Sequence, residues 1–532
     1  MKKYYLIFLF FPSLLFGQVI YTPISSGVYD FLERVSLKKI IEYHDEVKPL
    51  SRKAIASFLL EINHYTDKLN QVEKKDLEWY MEEYANEIKQ NEKERWFLYR
   101  YTDSLFSIRV SPNIGYGLNS TNGKLNYIRW PGLTVYGEYS DYFGAHFEYK
   151  DVGEYGNNID KTKYFSPVTG ANFSNAPNGI EHSDIKGSIS LNWSWGSISL
   201  IKDYDNWGHG KFGQLILSSK SPSFPHIELR LKPVEWLRFY YLYGWLNSLV
   251  PDSNNSFYTH TESIEPTLHI PFQNKYLAAN LLSITPWEWL DFSIGNSFIY
   301  SGDMRPETFI PFIYYKGLDH DLGTQGFNDG NGMIFTDAKI SYWKNMEIYG
   351  TLLIDVLEMR DILKNKWYTS WFGYTLGGKF IDVGINNLDF TIEFTKLDPW
   401  VYENRDASVS YKHLDYPLGD WLGQNAEQLR IQFDFKPVRA INLKLYSEWI
   451  RKGGLKDIYY AYVDILNLPF LYAPLRKDYN LGIDASYEIY HDLFTHLFYE
   501  FSDISDQDPL RTPDWQLGKT SSFGISIYYG LQ

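Results

Sequence analysis

The sequence predicts a mainly β protein, an 18-stranded antiparallel transmembrane β-barrel preceded by an α-helical segment. Three observations predict it. From about residue 103 apolar and polar side chains alternate with period two. Short turns alternate with long Gly/Asn/Asp/Pro-rich connections, the short ones recurring about every fifty residues. Aromatics make up 18% of the chain (Tyr 45, Phe 34, Trp 17), a surplus suited to the two interface girdles of a membrane barrel.

The chain has 532 residues, no cysteine and a formal charge of −14. Zero cysteine excludes a disulfide scaffold, thiolate catalysis and any Cys-ligated metal. A pI near 5.4 argues against a nucleic-acid partner. Mean hydropathy is −0.35, and beyond residue 18 no apolar run reaches the length of a transmembrane helix. Residues 1–18 read as a signal peptide: Lys2-Lys3, the apolar run Tyr4 to Phe16, then Gly17-Gln18. An exported chain without such helices spans a membrane by closing a barrel.

Residues 19–102 are expected to be helical. Residues 19–100 hold 13 Lys/Arg and 15 Asp/Glu. Val28, Phe31, Leu32, Val35 and Ile40 make one stripe at helical spacing; Ala54, Ile55, Phe58, Leu59 and Ile62 make a second. Leu77, Tyr80, Met81, Tyr84 and Ile88 make a third. Ser51 is placed to cap the second helix, and Asn70 with Glu73 forms a capping box for the third. Each stripe needs a partner surface.

Residues 103–532 are expected to form the barrel. Phe143, Ala145, Phe147 and Tyr149 alternate with Gly144, His146, Glu148 and Lys150. Leu388, Phe390, Ile392 and Phe394 alternate with Asp389, Thr391, Glu393 and Thr395. The apolar face is expected to meet lipid and the polar face the lumen. Turns are marked near 233–235, 286–288, 344–345, 386–387, 437–439 and 491–492. The long connections are 248–273, 301–331, 357–370, 397–427, 451–479 and 505–520.

Parity fixes the strand number. Thirteen strands run from His226 to Tyr529, and the first must run inward because it ends in a tight turn. An odd number must precede it; five fits residues 103–225, giving an even total of eighteen. Residues 213–219 are assigned to a loop or an inward fold.

Gly208-His209-Gly210-Lys211-Phe212-Gly213 matches G-x-G-x-x-G by letter, but no βαβ unit surrounds it, so a tight glycine turn is expected. His491 and His496 flank one turn and are expected to be solvated; no metal site and no cofactor are expected. No Walker loop, G-x-S-x-G or H-E-x-x-H is present, so no catalysis is expected. The connections hold Trp207, His209, Trp400, Tyr402, Tyr411, His413, Tyr416 and Trp421 among Asp, Asn, Arg and Gly. Sugar rings stack on aromatics and their hydroxyls need polar partners. The candidate polysaccharide-binding residues are Trp207, His209, Arg305, Trp400, Tyr402, Tyr416, Asp420, Trp421 and Asn425; interface girdle or loop packing is the competing role.

Three runs carry a family resemblance. They are Val28-Tyr29-Asp30-Phe31-Leu32 with Lys48-Pro49-Leu50-Ser51-Arg52; Asn206-Trp207-Gly208-His209-Gly210 with Leu215-Ile216-Leu217-Ser218 and Ser223-Phe224-Pro225; and Tyr416-Pro417-Leu418-Gly419-Asp420-Trp421-Leu422-Gly423-Gln424-Asn425. In these the chain resembles the Wzi family of outer-membrane capsule assembly proteins. The resemblance implies an N-terminal helical bundle that plugs the periplasmic mouth of an eighteen-stranded barrel. It also implies lectin-like binding of capsular or exopolysaccharide at the cell surface of a Gram-negative bacterium, without catalysis. Further expected partners are outer-membrane lipid and the polysaccharide export machinery, with the chain itself a monomer. A passive porin and an outer-membrane hydrolase are the alternatives. The signal carries +2, residues 19–100 carry −2 and the remainder −14. An acidic capsule would therefore need local contacts, through Arg/Lys clusters or bridging cations.

Overall fold

A computed structural model describes residues 20–89, 95–140, 142–261, 264–326, 330–358, 363, 370–456, 458–462, 468–508 and 510–530. The expected signal peptide and most of connection 357–370 lie outside the described residues.

The first part forms α1 (Val28–Leu37), α2 (Arg52–Asn63), α3 (Gln71–Glu83) and the short α4 (Ala85–Ile88). Ser51 Oγ accepts from the Ala54 N–H at 3.2 Å. Asn70 Oδ1 accepts from the N–H groups of Val72 and Glu73, and Glu73 accepts from the Asn70 N–H at 2.9 Å. Both satisfy N–H groups that a helix start leaves unpaired. The three stripes partner one another: Val28, Phe31, Leu32, Val35, Ile55, Leu59, Ile62, Leu77, Tyr80 and Tyr84 share one apolar cluster.

The barrel follows. β1 (Phe106–Pro112, continuing as Ile114–Thr121) and β2 (Lys124–Trp130, continuing as Gly132–Tyr139) form a bent hairpin. Then come β3 (Phe143–Gly156), β4 (Gly179–Trp193), β5 (Gly196–Asp203), β6 (Phe224–Val234), β7 (Leu237–Pro251), β8 (Phe272–Trp287) and β9 (Leu290–Ser301). β10 (Gly330–Ile340), β11 (Met346–Val356), β12 (Trp371–Phe380), β13 (Leu388–Leu397) and β14 (Ala426–Val438) continue the wall. β15 (Ile441–Lys452), β16 (Arg476–Tyr490), β17 (Leu493–Asp506) and β18 (Gly518–Tyr529) complete it. β18 pairs antiparallel with the second half of β1, Tyr529 opposite Ile114, and closes the ring. Five strands precede the strand that carries His226 and thirteen begin with it, so the described residues give a ring of the expected eighteen. Two short strands, Tyr99–Thr102 beside β1 and Ser174–Ala176 beside β4, extend the sheet without adding a member to the ring, and the first lies within the residues expected to be helical.

The expected turns fall within a few residues of the observed ones. Pro233, Pro286 and Pro437 sit where the register shifts, between Leu231 and Val234, Ile284 and Trp287, and Phe435 and Val438. Proline cannot donate to a ladder, so a bulge beside the turn accommodates it.

The two faces separate as the alternation requires. On β4 and β5, Ile185, Ile189, Leu191, Ile198 and Leu200 are exposed outward, while Ser188, Ser190, Ser197 and Ser199 are buried toward the lumen. Trp236, Trp287, Tyr342 and Trp343 are exposed at the short-turn end, the position of a girdle.

In one sector the lumen differs from the expected polar wall. Leu242, Leu277, Leu281, Ile299, Met333, Phe335 and Leu353 point inward from β7 to β11 and are buried. They face Leu215, Ile216 and Leu217, on the expected inward fold 213–219. Apolar loop residues in the lumen need apolar wall residues, so the sequence is apolar on both faces there, as in Leu281-Leu282.

The helical segment covers the short-turn end. The Asn345 N–H donates to the Leu37 carbonyl at 2.8 Å, Asn70 donates to Asn387 at 2.8 Å, and Trp79 stacks on His491 at 3.4 Å. His491 is thus packed beneath a tryptophan, not solvated as expected, because the helices need a surface to rest on.

Candidate functional site

The motif residues come together inside the barrel. After β5 the chain 204–223 turns into the lumen, and after β13 the chain 398–425 folds onto it. Asn206-Trp207 pairs antiparallel with Val47-Lys48 of the helical segment. Trp207 donates its N–H to the Leu217 carbonyl at 2.9 Å. The Tyr411 hydroxyl donates to the Ile216 carbonyl at 2.7 Å, and the Tyr402 hydroxyl to the Leu215 carbonyl at 2.6 Å. The two connections therefore share one buried core with the wall.

The glycine-rich run is a turn, as expected. Gly208 has φ +108°, a conformation that side chains disfavour. A Cβ on Gly213 would stand 2.0 Å from Oδ2 of Asp420, so glycine there admits the carboxyl.

Ion pairs fix this turn between the helices and the wall. His209 Nδ1 pairs with Asp337, and its Nε2 lies 3.4 Å from Asp45. Burial alone would lower the imidazole, but Asp337 and then Asp45 outweigh it and hold His209 above its ordinary range. Asp45 also takes Lys339 at 2.6 Å. Glu33 pairs with Lys211 and takes Lys379 at 2.5 Å, and Arg238 pairs with Glu46. Such pairs are modest sources of stability, but breaking one strands a charge.

Three lysines near the outer end hold loop carbonyls instead of carboxylates. Lys220 donates to Lys163 and Val168, Lys275 to Ser410, and Lys452 to Leu422 and Gln424, at 2.5–3.1 Å. Burial, with Lys163 adding repulsion, pushes Lys220 down to about 7.

Of the nine expected sugar-binding residues, eight are buried here: Trp207, His209, Trp400, Tyr402, Tyr416, Asp420, Trp421 and Asn425. The hydroxyl and amide groups among them bond the loops themselves, whereas the indole N–H groups of Trp207 and Trp400 meet no acceptor among the described residues. The Tyr416 hydroxyl donates to Thr162 and Ala171 at 3.0 and 3.1 Å, and Asn425 binds Gly454 and Leu471 at 3.0 and 2.8 Å. Trp421 alone of the eight lines a lumenal cavity of about 800 Å³, beside Ser218, Ser219 and Lys220. Its indole N–H meets no acceptor among the described residues. Arg305 sits apart, half-buried over the Tyr300 ring, on the connection after β9.

The exposed aromatics of the outer end are different residues: Phe257, Tyr258, Tyr459 and Tyr460. Buried Ile458 anchors the last two. Alternation cannot mark them; their signal is an aromatic run inside a polar connection. No group of three His, Asp or Glu residues able to hold a metal occurs among the described residues.

A closed antiparallel barrel with an apolar outer belt, aromatic girdle and filled lumen defines a membrane-spanning barrel of the outer-membrane class. Residues 83–513 match the capsule assembly protein Wzi family, and the chain belongs to that family. Its fold is similar to that of the Escherichia coli outer-membrane protein Wzi, involved in group 1 capsule assembly and described as a carbohydrate-binding β-barrel. The TM-score is 0.58 at 12% identity, over 97% of this chain and 100% of that one. Pseudomonas aeruginosa OprD aligns with TM-score 0.41 at 9% identity, over 80% of this chain and 94% of that one. Acinetobacter baumannii OccAB2 aligns with TM-score 0.42 at 10% identity, over 79% and 98%. No curated protein sequence matches the chain.

Proposed function

We propose that this protein is an outer-membrane, lectin-like binder of capsular or exopolysaccharide that attaches or organises the polymer at the cell surface without catalysis. Membership of a capsule assembly family supports this, as does the fold shared with a carbohydrate-binding barrel. The observation that carries it is the packing of connections 204–223 and 398–425 against each other. It makes a platform at the outer end, on which Ile458 anchors Tyr459 and Tyr460 with their rings toward sugar faces, and Tyr258 adds a ring from the hairpin Phe257–His269. Trp421 is the inner contact, through the cavity it lines. The other seven buried candidates hold the platform, and Arg305 stands at its edge. Many weak contacts along a repeating polymer gain avidity.

Residues 1–18 are proposed to be removed on export, and 19–102 to close the periplasmic mouth as a helical bundle. The protein is proposed to act as a monomer beside the export machinery. Deleting the gene should release capsule from the cell surface, and restoring it should return retention; unchanged retention in the deletion strain defeats the proposal.

The cavity favours a passive channel as the second reading. Planar-bilayer recording separates the two, since large conductance by the full-length protein would replace binding with transport. Turnover of glycan or lipid, lost on a single Ser or carboxylate replacement, would replace it with hydrolysis.

A further inference from the structure

One sector of the outer wall is covered by protein. Tyr241, Tyr243, Asn280, Phe298 and Tyr300 point outward from β7, β8 and β9, yet all are buried. The connection 302–326 lies over them, carrying the helix α5 (Tyr315–Thr324). The Phe312 ring stacks on Phe239 at 4.4 Å and the Phe309 ring on Tyr243 at 4.4 Å. A Cβ on Gly332 would stand 3.1 Å from the Lys316 side chain, so β10 is cut back where α5 rests.

Polar groups on this outward face hold the connection. Asn280 Nδ2 donates to the carbonyls of Pro311 and Ile313 at 2.9 and 3.0 Å. Asn296 donates to Asn280 at 2.8 Å and accepts from the Tyr315 N–H at 2.5 Å. Tyr241 and Tyr315 both donate to the Thr308 carbonyl, at 2.8 and 3.2 Å. Pro306 and Pro311 have no N–H to satisfy. Irregular backbone at membrane depth is tolerated where it is buried against protein, and these bonds pair the wall-facing part of the connection.

The depth follows from the register. Asn280 pairs with Asn296, seven residues from Trp289 at the inner girdle. At ~3.3 Å per residue and a tilt near ~40°, that places the pair roughly 18 Å above the girdle, inside an apolar band ~25 Å tall. Phe312 lies nearer the girdle, since its partner Phe239 is opposite Leu282. The outer side of residues 304–314 presents Met304, Phe309, Ile310, Phe312 (69% exposed) and Tyr314, with Glu307 the exposed charge among them, whereas α5 exposes His320 and Asp321. This row continues the exposed belt of Leu282, Phe292 and Ile294 on β8 and β9.

We propose that residues 304–314 form a flap seated in the outer leaflet of the membrane, pinned by the Asn280–Asn296 clasp, with its apolar row packed against lipid acyl chains and α5, which rests on Gly330 and Gly332 at the outer end of β10, at the level of the headgroups. The flap replaces lipid against this sector of wall and presents its own apolar surface in its place.

The chain has no cysteine, so single-cysteine variants of the full-length protein label at one site. Phe312→Cys carrying an environment-sensitive fluorophore, in phosphatidylcholine vesicles, should be quenched by doxyl-labelled lipid and should lose quenching by aqueous iodide. Ile294→Cys on the wall gives the lipid reference, and Leu510→Cys, 97% exposed on the last connection, gives the aqueous one. Tyr314→Cys repeats the test should the first variant fail to fold. Asn280→Leu should lift the flap, so that the label at 312 loses lipid quenching and gains iodide quenching. Iodide quenching at 312 and 314 like that at 510, without lipid quenching, overturns the proposal and leaves the row to a protein partner. Unchanged quenching in Asn280→Leu overturns the clasp.

Discussion

The Tyr402 hydroxyl donates to the Leu215 carbonyl at 2.6 Å and accepts the Asp420 N–H at 3.1 Å. One phenol oxygen thus fastens two connections, 187 residues apart in sequence, inside the barrel. Tyr402→Phe keeps the ring and orphans a carbonyl and an N–H. Each buried orphan costs about 1–3 kcal/mol, so the loss should be roughly 2–6 kcal/mol. The temperature at which the barrel loses its compact electrophoretic mobility measures it.

Asp420 makes stability pH-dependent. Burial pushes its carboxyl up to about 7, against the pull of the Leu422 N–H and Lys452. The unfolded value is near ~3.9, so the folded state binds the extra proton between these values. Its contribution is intact at low pH and falls as pH rises toward about 7. Asp420→Asn should therefore melt higher than wild type at pH 8, and the gain should disappear at pH 4. An equal gain at both pH values counts against burial of the charge.

Arg34 of α1 reaches Glu73 at 2.8 Å and pairs with Asp382 and Asp389 of the wall. Arg34→Ala takes the guanidinium from Asp389 while Lys38 still reaches Glu73 and Asp382, so the cost should lie at or below the about 3–5 kcal/mol of a broken buried pair. Limited proteolysis should cut residues 20–89 faster while the barrel keeps its compact mobility. Cleavage at the wild-type rate would show that the apolar cluster docks the helices unaided.

Rim and interior should respond differently. Tyr459→Ala and Tyr460→Ala change exposed rings, the second with Lys456 over it at 5.5 Å, and should each shift stability by no more than ~1 kcal/mol while lowering polymer retention on cells. Trp421→Ala removes a buried ring tilted on Phe165 and should cost about 3–5 kcal/mol as well as retention. Calorimetry beside a capsule-retention assay reads both axes. Full retention in the double tyrosine variant would remove the rim from the binding surface.

The fold was legible because each of its signals is local. Period two marks a strand, Ser51 and the Asn70–Glu73 pair mark helix starts, and turn spacing with parity fixes eighteen strands. The candidate residues were legible as chemistry but not as positions. An aromatic in a polar connection reads alike whether it stands on a rim, as Tyr459 does, or is buried, as Trp207 is. Alternation in Ala279-Asn280-Leu281 likewise cannot say that Asn280 is covered.

The sequence by itself determined the barrel, its strand number, its helical preface and its family, since those rest on periodicity, caps and contiguous motifs. Only the tertiary structure decided that connections 204–223 and 398–425 fill the lumen and that 302–326 lies on the outer wall. Those choices are made by contacts between residues tens to hundreds of positions apart, such as Tyr402 with Leu215 and Asn280 with Pro311. A buried carbonyl must find a donor somewhere, but which donor reaches it is settled only when the wall closes.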